Sequence, residues 1–269
     1  LGHDVSECLK RAGRIRLQKR LGQHLLVDRH YIDLFVGATG SPRVVYEIGC
    51  GLGSLTMPLA ERAEYVFCSE IDPGLASLLR ECSQWASNVD VLLSDAMCLE
   101  LSRSRHVVVS NTPFYLSSEV VSLLCRDGSL EYAVLGVQKE VGDRLLAQPG
   151  SRKYGRLSVI AQLCFSVEKL FIIPSSAYIP RPEVDTMVVR LTPTRAFTQE
   201  FLERLEEFTR RVFPYRKKKF STGLSLGLGV SRVQAKELLS DLGIDPEKRV
   251  YEISPREVAK IVSYLALQA

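Results

Sequence analysis

The sequence predicts an α/β protein: a doubly wound, Rossmann-like sheet followed by a small helical domain. From Val44 to about Leu191, short β-branched runs alternate with stretches whose apolar residues recur at helical spacing. Beyond Thr192-Pro193-Thr194 only helical patterns remain. Directly after the first strand-like run comes the glycine-rich segment Glu47–Gly53, at the place where such a sheet opens toward a ligand.

Val44–Ile48, Tyr65–Ser69, Val89–Ser94, Val107–Ser110 and Tyr132–Val137 each read as a short buried strand. Leu55–Arg62, Gly74–Trp85 and Ser118–Cys125 lie between them with helical periodicity, which makes successive strands parallel. Val167–Ile173 and Thr186–Leu191 add two late strands, read as a hairpin at the sheet edge. After the linker, Gln199–Val212, Ser231–Leu242 and Pro255–Leu265 are amphipathic, with Ser231 and Ser254 as N-caps and Gly243 as a C-cap. The expected division is residues 1–191 and 195–269.

The chain of 269 residues carries a formal charge of +4, unevenly spread. Residues 1–23 hold six basic and two acidic side chains, and residues 195–269 hold fourteen and ten. Basic flanks around an acidic centre suit a polyanion held at the ends while the centre does other work. No apolar run is long enough to span a bilayer, and the basic first twenty residues lack the apolar core of a secretory signal. Seven cysteines without a C-x-x-C pair, and four scattered histidines, give no metal site. Reduced, buried thiols are expected.

Glu47-Ile48-Gly49-Cys50-Gly51-Leu52-Gly53 places glycines at alternate positions, with the third one residue early for a dinucleotide fingerprint. This form is typical of S-adenosylmethionine sites, whose ligand has no pyrophosphate to seat. Gly49 and Gly51 are the candidate backbone contacts. Glu70 ends the second strand run, where a carboxylate can accept both ribose hydroxyls. Asp95 ends the third, where a carboxylate can take the amino group of the cofactor's adenine.

The fourth run ends in Asn111-Thr112-Pro113-Phe114, an [N/D]-P-P-[Y/F]-like tetrapeptide typical of methylases acting on ring-conjugated amines. Adenine N6 is a poor nucleophile because its lone pair is delocalised. The Asn111 carboxamide oxygen and the Thr112 carbonyl are placed to accept its N–H bonds, favouring the pyramidal nitrogen of the transition state. Phe114 would stack on the extruded base.

With these motifs the chain resembles the small-subunit rRNA adenine-N6,N6-dimethyltransferase family, the kasugamycin-sensitivity type. Leu21–Leu26, Gln138–Leu145, Lys153–Ser158, Tyr178–Thr186 and Phe213–Lys219 each resemble a segment of that family, in the family's order. The resemblance implies a class I S-adenosylmethionine-dependent methyltransferase that methylates two adjacent adenosines near the 3′ end of small-subunit rRNA. It implies cofactor contacts at His24, Leu26, Gly49, Glu70, Asp95 and Asn111. It makes Tyr178 an aromatic that helps hold the flipped base. Arg216, Lys217, Lys218 and Lys219 form a run of four positive charges, read as helical, that either contacts rRNA phosphates or is a solvated surface segment. A cytoplasmic monomer acting on the pre-ribosomal particle is expected. Phe114 stands where the family usually has Tyr, Thr112 where it has an aliphatic residue, and Leu25 where it has Phe. The large-subunit rRNA methylases of the erythromycin-resistance type share the catalytic core. A binding factor without turnover would share the fold.

Overall fold

Runs of β-branched residues form the buried strands, and the computed structural model describes them within residues 24–84, 86–98, 104–113 and 115–267. In chain order come β1 (Leu25–Leu26), α1 (Arg29–Thr39), β2 (Val44–Ile48), α2 (Thr56–Ala60), β3 (Tyr65–Glu70) and α3 (Pro73–Cys82). Then follow β4 (Val89–Leu93), β5 (His106–Asn111), α4 (Ser117–Cys125), β6 (Leu130–Gln138), α5 (Lys139–Leu145) and α6 (Arg156–Cys164). β7 (Phe165–Ile173), β8 (Tyr178–Ile179) and β9 (Thr186–Pro193) precede the last helices, α7 (Gln199–Val212), α8 (Phe220–Leu228), α9 (Arg232–Asp241) and α10 (Pro255–Leu267).

The main sheet runs β4-β3-β2-β5-β6-β9-β7, parallel from β4 to β6 and antiparallel between β6 and β9. Val107, Val108 and Val109 are all fully buried, as are Ala133, Val134 and Leu135, so inward and outward positions alike are covered. That is why these strands read as continuous apolar runs rather than alternating ones. On one face Ile32, Phe35 and Val36 of α1 pack with Val45, Val66, Val107 and Val134. The chain lies to one side of β2 through β3 and β4, then crosses to the other through β5. A crevice therefore opens beyond the carboxyl ends of β2 and β5.

The two late strands are neighbours at one end of the main sheet, as expected of an edge pair. β9 sits between β6 and β7, and the segment joining β7 to β9 carries β8, which leaves the main sheet and pairs with β1. Leu26 faces Tyr178 and Leu25 faces Ile179 in that antiparallel pair.

The chain forms two compact units: residues up to Gly142 together with Glu168–Thr192, and Asp143–Val167 together with Pro193–Ala269. The sequence placed Asp143–Val167 with the sheet, but its contacts are with the tail. Tyr154 is completely buried and its hydroxyl donates to the Ile253 carbonyl at 2.8 Å, while the Gly150 N–H donates to the Tyr251 carbonyl at 2.8 Å. In the same unit α7 buries Leu202, Leu205, Phe208 and Val212 along one stripe. Ser231 accepts from the Gln234 N–H at 3.2 Å and Ser254 from the Glu257 N–H at 3.2 Å, so both act as N-caps. Gly243 follows α9 at φ 66°.

α8 was not anticipated. Its glycines weaken helix propensity, yet a Cβ at Gly227 would lie 2.8 Å from the Arg211 carbonyl oxygen, so close packing against α7 requires glycine there. Cys50, Cys68 and Cys98 are free, whereas Cys82, Cys125 and Cys164 are disulfide-bonded, which corrects the expectation of reduced thiols throughout. Spacing along the sequence cannot test bridges between remote positions. Among the described residues no helix is long and apolar enough to cross a membrane, and no cluster of His, Cys, Asp and Glu is placed to hold a metal ion.

Candidate active site

At the carboxyl end of β2 the chain turns through Gly49, Gly51 and Gly53 at φ 74°, 55° and 80°, a left-handed region that side chains avoid. The Gly49 and Cys50 N–H groups donate to the Ser69 carbonyl at 2.9 and 3.1 Å, tying the loop to the end of β3. One residue on, Glu70 braces the loop: its Oε2 accepts the Gly51 N–H at 2.8 Å and its Oε1 the Asp72 N–H at 2.9 Å. Burial raises its pKa, against the lowering effect of those N–H donors. Beside it Ile71, just outside the strand, keeps 48% of its surface exposed.

Gly49, Cys50, Gly51, Ser69, Glu70 and Ile71 line a cleft that is open to solvent. Its wall includes His24, Leu26, Gly49, Gly51, Glu70, Asp95, Asn111 and Pro113, so eight positions singled out from the sequence meet in one place. Asp95, exposed at the mouth, also accepts the Met97 N–H at 2.9 Å and so caps the short turn after β4.

Asn111 ends β5 between β2 and β6. Ser110 donates its hydroxyl to the Ile48 carbonyl at 2.8 Å, and the Thr112 N–H donates to the Gly136 carbonyl at 2.9 Å, which pins the backbone on either side of Asn111. Pro113 packs on the glycine loop: a Cβ at Gly49 would lie 3.5 Å from Pro113 Cδ. The Asn111 Nδ2 points to the His24 carbonyl at 3.5 Å, and its Oδ1 accepts the Tyr178 hydroxyl at 3.2 Å. His24 Nδ1 in turn lies 2.7 Å from the Pro180 carbonyl oxygen.

Some expected residues lie elsewhere. Phe114 and the basic segment Lys10–Arg20 fall outside the described residues. The Thr112 side chain is buried and its hydroxyl has no partner among the described residues. Tyr178 is 3% exposed, packed among core residues, and does not line the cleft. The run Arg216–Lys219 is a turn between a short 3-10 segment and α8, not a helix. Its backbone is paired instead with residues 248–251: the Val250 N–H donates to the Lys218 carbonyl, the Tyr251 N–H to that of Arg216. The Arg216 guanidinium donates to the carbonyls of Arg152 and Tyr154 at 2.8 and 2.6 Å, and Lys219 is ion-paired with Glu247. Lys217 and Lys218 remain exposed.

Glu47, Ile71 and Tyr115 also line the cleft, and no sequence motif singles them out. Glu47 is 3% exposed in the cleft wall, its Oε2 has no partner among the described residues, and burial with the nearby Glu70 charge pushes its pKa up to about 8. An acid near the end of a strand-like apolar run was the available signal. Nothing in the sequence marks Ile71 or Tyr115 as half-exposed at a cleft mouth.

The family description "Ribosomal RNA adenine dimethylase" matches residues 14–267. A ribosomal RNA small subunit methyltransferase A from Desulfitobacterium hafniense is 37% identical over 252 residues, covering 90% of each chain. Its namesake from Pelotomaculum thermopropionicum is 35% identical over 277 residues, covering 96% of this chain and 94% of its own. The fold is shared with a dimethyladenosine transferase from Plasmodium falciparum, at a TM-score of 0.78 and 23% identity over 91% of this chain and 98% of that one. A 23S rRNA methyltransferase aligns at a TM-score of 0.68 and 25% identity, covering 90% and 99%. A cleft that joins the glycine loop, two strand-end acids and an Asn-x-Pro turn, together with these matches along nearly the whole chain, places the protein in the ribosomal RNA adenine dimethylase family.

Proposed function

We propose that the protein transfers methyl groups from S-adenosylmethionine to N6 of two adjacent adenosines near the 3′ end of small-subunit rRNA, giving N6,N6-dimethyladenosine during ribosome assembly. The observation that carries this is the meeting of Asn111 and Pro113 with Gly49, Gly51, Glu70 and Asp95 in a single cleft. Catalysis by an Asn-x-Pro turn needs the cofactor loop within reach, and the Pro113–Gly49 contact supplies that proximity.

The cleft suits the cofactor's chemistry. Glu70 sits at the strand end with its oxygens held by backbone N–H groups, ready for ribose hydroxyls. Ile71 offers an apolar face to an adenine whose amino group Asp95 would accept. The unpartnered Glu47 oxygen suits a ligand carrying positive charge, which would draw that carboxyl back toward its ionised form. When bound, the cofactor supplies an electrophilic methyl group on a sulfonium. The protein's part is to orient the amine. Asn111 Oδ1 and the Thr112 carbonyl accept the N6 hydrogens and so stabilise the pyramidal nitrogen, and the proton leaves after transfer. No general base has to act first.

Lys217 and Lys218 would hold rRNA phosphates, and Phe114 would stack on the target base. A cytoplasmic monomer completes the reading; sedimentation of the purified protein tests the oligomeric state. The deciding experiment incubates the protein and S-adenosylmethionine with under-methylated small subunits and maps modified nucleosides by mass spectrometry. N6,N6-dimethyladenosine at two neighbouring positions is expected. Modification of large-subunit RNA alone would overturn the substrate assignment.

A further inference from the structure

We infer that the Tyr178 hydroxyl is a positioning group for methyl transfer: by donating to Asn111 Oδ1 it sets which end of the Asn111 carboxamide faces the target amine. The inference rests on the function proposed above and concerns how the same site is aimed.

An asparagine side chain has one acceptor end and one donor end of nearly equal size, and a half-turn about χ2 exchanges them. Only the oxygen end can accept an adenine N–H; the amino end would repel it. Orientation therefore decides whether Asn111 assists or obstructs. Two contacts set it. Nδ2 faces the His24 carbonyl oxygen, which can only accept, but at 3.5 Å that contact is at the limit of a hydrogen bond. The Tyr178 hydroxyl, 3.2 Å from Oδ1, is the tighter of the two. An amide oxygen has two lone pairs, so accepting from Tyr178 leaves one for the substrate.

Tyr178 is well placed to act as a fixed donor. It is 3% exposed, held in β8 opposite Leu26 of β1, and packed in the same cluster as Phe35 and Val134. Burial pushes its phenol pKa well above the ordinary value, so the hydroxyl keeps its proton across the working pH range. The backbone under the oxygen is close as well, since a Cβ at Gly136 would lie 3.1 Å from Asn111 Oδ1. A buried ring absent from the cleft wall is poorly placed to stack on a base, whereas its hydroxyl already touches the group that must be aimed.

Single-turnover methyl transfer at saturating S-adenosylmethionine separates the two roles. Tyr178→Phe keeps the ring and removes only the donor. Its rate should fall about tenfold, the effect of one hydrogen bond of ordinary strength, with cofactor Kd and Tm close to those of the parent. In an Asn111→Ala background the same change should cost nothing further, because a group acting through Asn111 has nothing left to orient. A Tyr178→Phe rate equal to the parent's, with loss only in Tyr178→Leu, would overturn the inference and make the ring the functional part. Additive losses in the double variant would also overturn it. If the parent protein forms no N6-dimethyladenosine, the proposed function itself fails, a result that neither variant can imitate.

Discussion

Asp95 and Glu47 are both carboxylates of the same cleft, and their surroundings give them opposite characters. Asp95 is exposed and partly engaged in capping the turn at Met97. Glu47 is buried without a partner for Oε2. If Asp95 takes the adenine amino group, Asp95→Ala removes a charge-assisted hydrogen bond worth roughly 1.5–3 kcal/mol and weakens S-adenosylmethionine by one to two decades. Calorimetry measures this directly. Asp95→Asn keeps an oxygen for the Met97 N–H, so its ligand-free Tm should match the parent while alanine lowers it. Equal affinity in all three proteins would leave Asp95 as a cap and nothing more. Both strand-end acids, Glu70 and Asp95, were readable from the sequence because a strand's carboxyl end can be located from its apolar run. What Glu47 and Tyr178 do was not readable. Desolvation and a hydrogen bond spanning 67 positions are properties of the folded neighbourhood.

At the scale of elements, β2 to β6 begin and end within a few residues of their apolar runs, and in β5 burial on both faces writes itself into composition. β1 and β8 are two residues each, too short for any periodicity, and exist because they pair with each other. The basic turn shows local preference losing to tertiary contact. Arg and Lys favour helix, but Arg216 and Lys218 give their carbonyls to Tyr251 and Val250 instead. That geometry also divides the run. Arg216 Nη2 is engaged by two backbone carbonyls and Lys219 by Glu247, whereas Lys217 and Lys218 stay exposed. Lys217→Ala/Lys218→Ala should flatten the slope of log K against log salt for small-subunit binding by about one per lost contact, without changing cofactor affinity. Arg216→Ala should instead lower Tm. An unchanged salt slope in the double variant would return Lys217 and Lys218 to ordinary surface.

At the scale of the whole molecule, buried groups with raised pKa values make stability fall as pH rises, Glu47 foremost and Glu70 in the same sense. Glu47 titrates at about 8 in the folded chain against an ordinary 4.5. Its raised pKa means that the folded state holds a proton the unfolded chain has lost. Stability is therefore full below pH 4.5 and declines until pH 8, by an amount on the order of a few kcal/mol. His106 adds in the same direction. Burial alone would lower its pKa, but the Asp127 carboxylate at 2.7 Å and the Ser104 carbonyl raise it on balance. Its contribution is present below its ordinary value of 6.5 and is lost as pH passes the raised one. Glu47→Gln removes the larger dependence. Thermal melts of ligand-free parent and variant should diverge between pH 5 and pH 8, with the glutamine protein the more stable at pH 8. Parallel curves would mean that water reaches Glu47.

Because Asp143–Val167 belongs with the C-terminal tail, the order of synthesis leaves it waiting. Tyr154 leaves the ribosome 99 residues before Ile253, the carbonyl that satisfies its hydroxyl. At about 5–20 residues per second that is an interval of roughly 5–20 s, long compared with the microseconds in which a helix forms. Over that interval Tyr154 and the Gly150 N–H lack their mature partners. A nascent chain stalled near residue 200 should therefore be cut by protease within 143–167, whereas the released full-length protein should resist there. Equal resistance in both would show that this stretch folds without the tail. The newborn protein is thus vulnerable at a definite moment and place, in the middle of its own sequence.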